Sequence, residues 1–163
     1  MATSVTSDQK IIRQLNDLIE LDFDAIEAYA AAIARLSDPE DKSQLGQFMG
    51  DHRRHVTDLT SIVEMLGAKA AAKADVKQVL TKGKVVIAGL LGERAVLEAM
   101  KSNEDMTNRV YEKATNEHGL PSHVREILER NLADERRHRA WLEQRIAQTA
   151  SGRSSDTGIG RHP

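Results

Sequence analysis

Apolar residues recur along this chain at the three-to-four spacing of helices, in four separate stretches. The first stripe is Ile11, Leu15, Leu18, Ile19, Ile26, Tyr29, Ile33 and Leu36. Ser7 is its expected cap, with Asp8 in the first turn, which leaves residues 1–6 loose. Ser37-Asp38-Pro39-Glu40 closes this helix and opens the next, Asp38 as cap and Pro39 at the first helical position. The second stripe is Leu45, Phe48, Met49, Val56, Leu59, Ile62, Val63 and Leu66, and it stops at Gly67. Residues 68–84 are rich in Ala and Lys without a stripe and read as a crossover. A third helix then runs to about His118, with Leu90, Leu97 and Tyr111 on its apolar face. Gly119-Leu120-Pro121 turns the chain into a fourth, striped by Val124, Ile127, Leu128, Leu142 and Ile146. Four amphipathic helices, two tight hairpins and one long middle connection predict an all-α four-helix bundle over residues 7–148, with the crossover between helices 2 and 3. The Gly- and Ser-rich residues 149–163 have nothing to bury and read as a disordered tail.

The stripes are interrupted at one place in each helix. Asp22 fills the gap between Ile19 and Ile26, and His52 and His55 fill the one between Met49 and Leu59. Glu104 sits midway between Leu97 and Tyr111, and Glu135 and His138 separate Leu128 from Leu142. Two of these interruptions are copies of one pentad, Asp51-His52-Arg53-Arg54-His55 and Asp134-Glu135-Arg136-Arg137-His138, 83 residues apart. Residues three apart share a helix face one turn apart. Counting at ~1.5 Å per residue places all six ionisable groups roughly 20 Å from their turns, near mid-height of the bundle. By the same count Glu20, Asp24, Glu27 and Glu98 fall off the stripe, toward solvent.

Composition narrows the possibilities. At 163 residues the chain suits one domain with a single core. A net charge of −2 with mixed signs gives no basic stripe for nucleic acid. Without cysteine there are no disulfides and no thiolate metal sites. The mainly apolar run at residues 85–91 is too short to cross a bilayer, and the first residues show no signal pattern, so a cytoplasmic protein is the expectation.

A carboxylate buried without a partner costs several kcal/mol or is neutralised. Asp22, Glu104 and Glu135 crowded together therefore need positive charge. A metal ion supplies it, and histidine beside carboxylate suits Fe, Mn or Zn; a polar layer with protonated histidines is the alternative. Tyr29 and Tyr111 are either hydrogen-bond partners of the ligand carboxylates or core aromatics. Trp141 reads as packing and Glu93 as a bundle-end residue. Arg53, Arg54, Arg136 and Arg137 read as solvated ion pairs, and His118 and His123 flank the last turn.

With an acid alone on helices 1 and 3 and a Glu-x-x-His-like pair on helices 2 and 4, residues 8–148 resemble the ferritin-like superfamily. A Tyr seven residues after each lone acid, Tyr29 after Asp22 and Tyr111 after Glu104, is similar to rubrerythrin-like members. The chain looks more like uncharacterised bacterial ferritin-like domain families than like ferritin itself. The resemblance implies a metal site of Asp22, His52, His55, Glu104, Glu135 and His138, with no catalytic residues beyond these ligands. It implies one or two iron ions (Mn or Zn in their place), reaction with O2 or peroxide as a ferroxidase or peroxidase, an external electron donor and a homodimer. Three departures qualify this: His52 stands where the family has a glutamate, Asp22 is shorter than Glu, and no cysteine-rich iron domain or fifth helix is present. They keep open a non-catalytic bundle with a single or mixed metal site, or none, acting as a binding or structural stress protein.

Overall fold

The computed structural model describes residues 2–73, 87 and 90–154, and within them the protein is an all-α four-helix bundle. The helices are α1 (Ala2–Ile33), α2 (Pro39–Met65), α3 (Glu93–Thr115) and α4 (Ser122–Ser154).

The first helix starts at Ala2, ahead of the Ser7 boundary. Residues 2–33 contain no Pro or Gly, and the Ser and Thr residues among them cost a helix only up to ~0.7 kcal/mol each. Nothing in the sequence therefore stops the helix short. Asp38 caps α2 as expected: its Oδ1 accepts from the backbone N–H of Glu40 at 2.8 Å and of Asp41 at 3.3 Å, with Pro39 at the start. At the other end Gly67 takes φ 74°, and Ala68 N–H reaches Val63 O at 3.1 Å while Gly67 N–H reaches Glu64 O at 2.9 Å. Only a residue free to adopt positive φ closes that turn without strain.

The third helix is shorter than the stripe suggested. It starts after Gly92, at φ 87°, and ends at Thr115. Leu90 lies outside it, half-buried, with its N–H 3.2 Å from Ile87 O. The fourth helix continues to Ser154. The proposed disordered tail falls mostly on residues 155–163, and most of the crossover on residues 74–86; both lie outside the described residues.

Each helix has two neighbours: α1 packs on α2 and α3, and α4 on α2 and α3. Tyr29 meets Glu104 and Tyr111 meets Asp22, so α1 and α3 run antiparallel. Since α1 is also antiparallel to α2, the diagonal pair α2 and α3 is parallel. The chain must then return the length of the 27-residue α2, about 40 Å, before α3 can begin. Its first residues do so along α1: Asn16 accepts from Ala71 N–H at 2.6 Å, and Lys73 pairs with Glu27 at 2.5 Å.

The core is split along the bundle axis. One apolar layer, around Leu15, Leu18, Ile62, Val63 and Leu128, lies toward the α3–α4 turn. The other, around Ala32, Leu45, Phe48, Leu97 and Leu142, lies toward the α1–α2 turn. Ile26 and Ile33, expected in the core, are half-buried, and Ala28 and Ala32 are buried instead. Between the two layers sits a band of polar side chains.

Candidate metal centre

All six interrupting residues lie in that band, each no more than 1 % exposed. Asp22 comes from α1, His52 and His55 from α2, Glu104 from α3, and Glu135 and His138 from α4. Each helix delivers its acid or imidazole because that position continues its apolar stripe, so docking the hydrophobic faces turns the polar group inward. The atoms form two overlapping clusters, Asp22/His52/His55/Glu135 and His52/Glu104/Glu135/His138, in each of which one ligand atom per residue lies within 4.8 Å of the others. His52 and Glu135 belong to both.

The outer partners are crossed between the hairpins. The Tyr29 hydroxyl on α1 donates to Glu104 Oε1 at 2.5 Å, and the Tyr111 hydroxyl on α3 donates to Asp22 Oδ2 at 2.6 Å. His55 Nε2 lies 3.2 Å from Asp134 Oδ2, and His138 Nε2 lies 3.0 Å from Asp51 Oδ2. Each pentad's leading aspartate therefore serves the other pentad's trailing histidine. A carboxylate on one ring nitrogen fixes the tautomer and leaves the other nitrogen's lone pair inward, as ligating histidines require. Arg54 and Arg137 form the ion pairs expected of them, but on these aspartates: Arg54 pairs with Asp51 at 2.7 Å and with Asp134, and Arg137 with Asp134 at 2.6 Å and Asp51 at 2.5 Å.

Six inward atoms have no hydrogen-bond partner among the described residues: His52 Nε2, His55 Nδ1, Glu104 Oε2, both Glu135 carboxylate oxygens and His138 Nδ1. Each such buried atom costs about 1–3 kcal/mol. Convergent nitrogen and oxygen atoms of the two clusters could hold a metal ion.

All six groups of the band are displaced from their ordinary ranges. Burial pushes the Glu135 carboxyl up to about 8, with Glu104 and Asp22 adding to the rise against the opposing pull of His52 and His55. Burial takes His138 down to about 4, leaving it neutral. Burial also opposes charge on His52 and His55, but the acids around them win, lifting His52 well above the ordinary histidine range and His55 to about 9. Burial likewise opposes the charged forms of Asp22 and Glu104, yet the nearby His52 helps hold both below the usual carboxylate value.

Sequence reading missed several residues of the centre. Asp51 and Asp134 were visible as the first position of both pentads, and their recurrence was the available signal. Phe48, placed in the core stripe, has its ring centroid 4.2 Å from that of His138. Asn131 is fully buried with neither amide atom paired, and Asn108 donates to the backbone oxygens of Glu104 at 2.8 Å and Glu135 at 3.0 Å. Nothing in the sequence marks these two as buried. Trp141 is half-buried with its ring edge-on to Phe48, as packing. Glu93 accepts from Ser37 N–H at the bundle end. Glu98 is exposed, whereas Glu20, Asp24 and Glu27 are half-buried rather than turned fully to solvent. No candidate cluster among the described residues includes His118 or His123, and no helix among them is long and apolar enough to cross a membrane.

Residues 10–117 match the model of a family described as a domain of unknown function, DUF2383. The match takes in α1 to α3, with Asp22, His52, His55 and Glu104, and ends before α4. No curated protein and no solved structure matches the chain.

Proposed function

The chain belongs to the DUF2383 family, and we propose that it is a ferritin-like metal-binding protein performing non-haem iron (or manganese) redox chemistry with O2 or peroxide. The observation that carries this reading is the set of six unpartnered inward atoms contributed by three of the four helices, with Asp22 from the fourth beside them. A bound iron or manganese ion would supply the electron transfer.

The chain's own residues do the rest. Asp22, Glu104 and Glu135 offer negative charge that favours a higher oxidation state. His55 and His138 present Nδ1 while Asp134 and Asp51 hold Nε2. Tyr29 and Tyr111 each occupy one oxygen of a carboxylate, leaving the other to face the cluster. The apolar layers on either side keep bulk water from the centre. With no cysteine for an internal iron–sulfur or rubredoxin-type donor, reducing equivalents come from outside the chain. A cytoplasmic homodimer is part of the same proposal.

A second reading has its own support. His52 Nδ1 lies 2.8 Å from Asp22 Oδ1, so a protonated His52 can itself serve as the cation of the layer, in a bundle that binds partners and holds zinc or no metal. Elemental analysis of the full chain purified without added metal, followed by oxygen uptake on adding Fe2+, separates the two. Bound iron or manganese with rapid uptake is expected. Zinc alone, or no metal, with no uptake would sink the oxidoreductase and leave the binding bundle.

A further inference from the structure

The two overlapping clusters are not equivalent, and His52 is the reason. A neutral imidazole has one lone pair. His52 turns Nδ1 toward Asp22 and Glu135, at 2.8 and 3.5 Å, and Nε2 toward Glu104 at 3.6 Å. It can give its lone pair to one cluster, and then shows an N–H to the other. A glutamate in its place could give one oxygen to each.

Geometry says which cluster is favoured. Nitrogen and oxygen ligands about 2.0–2.2 Å from one ion stand roughly 3.0–3.5 Å from each other. Around the first cluster, Asp22 Oδ1, His52 Nδ1, Glu135 Oε1 and His55 Nδ1 form a closed ring with successive separations of 2.8, 3.5, 3.2 and 3.5 Å. In the second, His52 Nε2 and His138 Nδ1 stand 3.6 and 3.8 Å from oxygens of Glu104, a looser set than the first.

Charge and surroundings agree. One divalent ion between Asp22 and Glu135 is neutral. A second would face only Glu104 as an unspent acid and leave a net positive charge in the core. The flanking side chains differ too. Phe48 lies against His138 with ring centroids 4.2 Å apart, whereas the residue 83 positions on from Phe48 is Asn131, a buried amide beside Tyr111.

We propose that the centre binds one divalent cation tightly, at Asp22, His52, His55 and Glu135, and a second only weakly, and that His52 imposes this inequality. The proposal rests on reading the centre as a metal site. The full chain, stripped with a chelator, is titrated with Co2+ by calorimetry, with the visible cobalt bands read alongside. One tight ion per chain is expected, with any second bound about 100-fold or more weakly. His55→Ala removes the tight ion, His138→Ala spares it, and His52→Glu brings the second ion to comparable affinity. Far-ultraviolet dichroism confirms that each variant keeps its helices. The unmodified chain decides the matter even where a variant does not fold. Two ions of equal affinity, or a tight ion that survives His55→Ala and is lost in His138→Ala, would overturn the inequality. No binding of Co2+, Fe2+, Mn2+ or Zn2+ would instead overturn the metal reading beneath it.

Discussion

The hairpin of α1 and α2 and the hairpin of α3 and α4 follow one plan. Each has a lone acid, a tyrosine seven residues later, and a pentad beginning with aspartate and ending with histidine. Leu45 and Leu59 of the first hairpin correspond to Leu128 and Leu142 of the second, all four buried. The plan departs at His52 against Glu135, Phe48 against Asn131 and Asp24 against Met106. The shared positions build the bundle and bring the groups to one depth. The unshared ones make the two sides of the centre chemically different. Duplication thus supplies symmetry of position, and single substitutions within it supply direction.

The largest effect is expected where the symmetry is drawn together. Glu135→Gln removes the acid common to both clusters, and cation affinity falls roughly 100-fold or more at each, measured by titration calorimetry. The crossed aspartates come next. Asp134→Ala releases His55 and Asp51→Ala releases His138, each weakening its own cluster about 10–100-fold. The former should depress the tight ion and the latter should not; equal effects would show that the sides are alike.

Tyr29→Phe and Tyr111→Phe each delete a buried hydrogen bond to a carboxylate, costing about 1.5–3 kcal/mol in urea unfolding. Similar losses for the pair would show that this part of the plan is symmetric. Asp24 gives the smallest effect. Burial, with Glu20 beside it, raises its carboxyl to about 6 from an ordinary 3.8. The folded state therefore holds a proton that the unfolded chain releases sooner, a stabilisation complete below 3.8 and lost as pH rises through about 6. Asp24→Asn should stabilise the protein at pH 8 by about 1 kcal/mol, allowing for solvent screening, and leave it unchanged near pH 3.

Much of this was legible from spacing alone. Stripe periodicity turns Asp22, His52, His55, Glu104, Glu135 and His138 inward, and distance from the turns sets their common height, because both depend on geometry within a single helix. What spacing does not carry is the rotation of one helix against its neighbour. That rotation decides that Asp51 meets His138 and Asp134 meets His55. It also decides that Ala28 and Ala32 are buried while Ile26 and Ile33 are half-exposed. Helix ends were legible where a side chain or glycine enforces them, at Asp38 and Gly67. They were not at Ala2, where no breaker precedes the first turn, or at Leu90, whose heptad spacing to Leu97 is cut by Gly92.

The parallel diagonal of α2 and α3 has a consequence for assembly. Neither hairpin owns a complete centre. Loop closure grows by only about 0.6 kcal/mol per doubling of length. A chain opened between Lys73 and Ile87 should thus yield two pieces that find each other, with a divalent ion as the rivet, and metal dependence of that reunion would make the pair a split reporter for the ion itself.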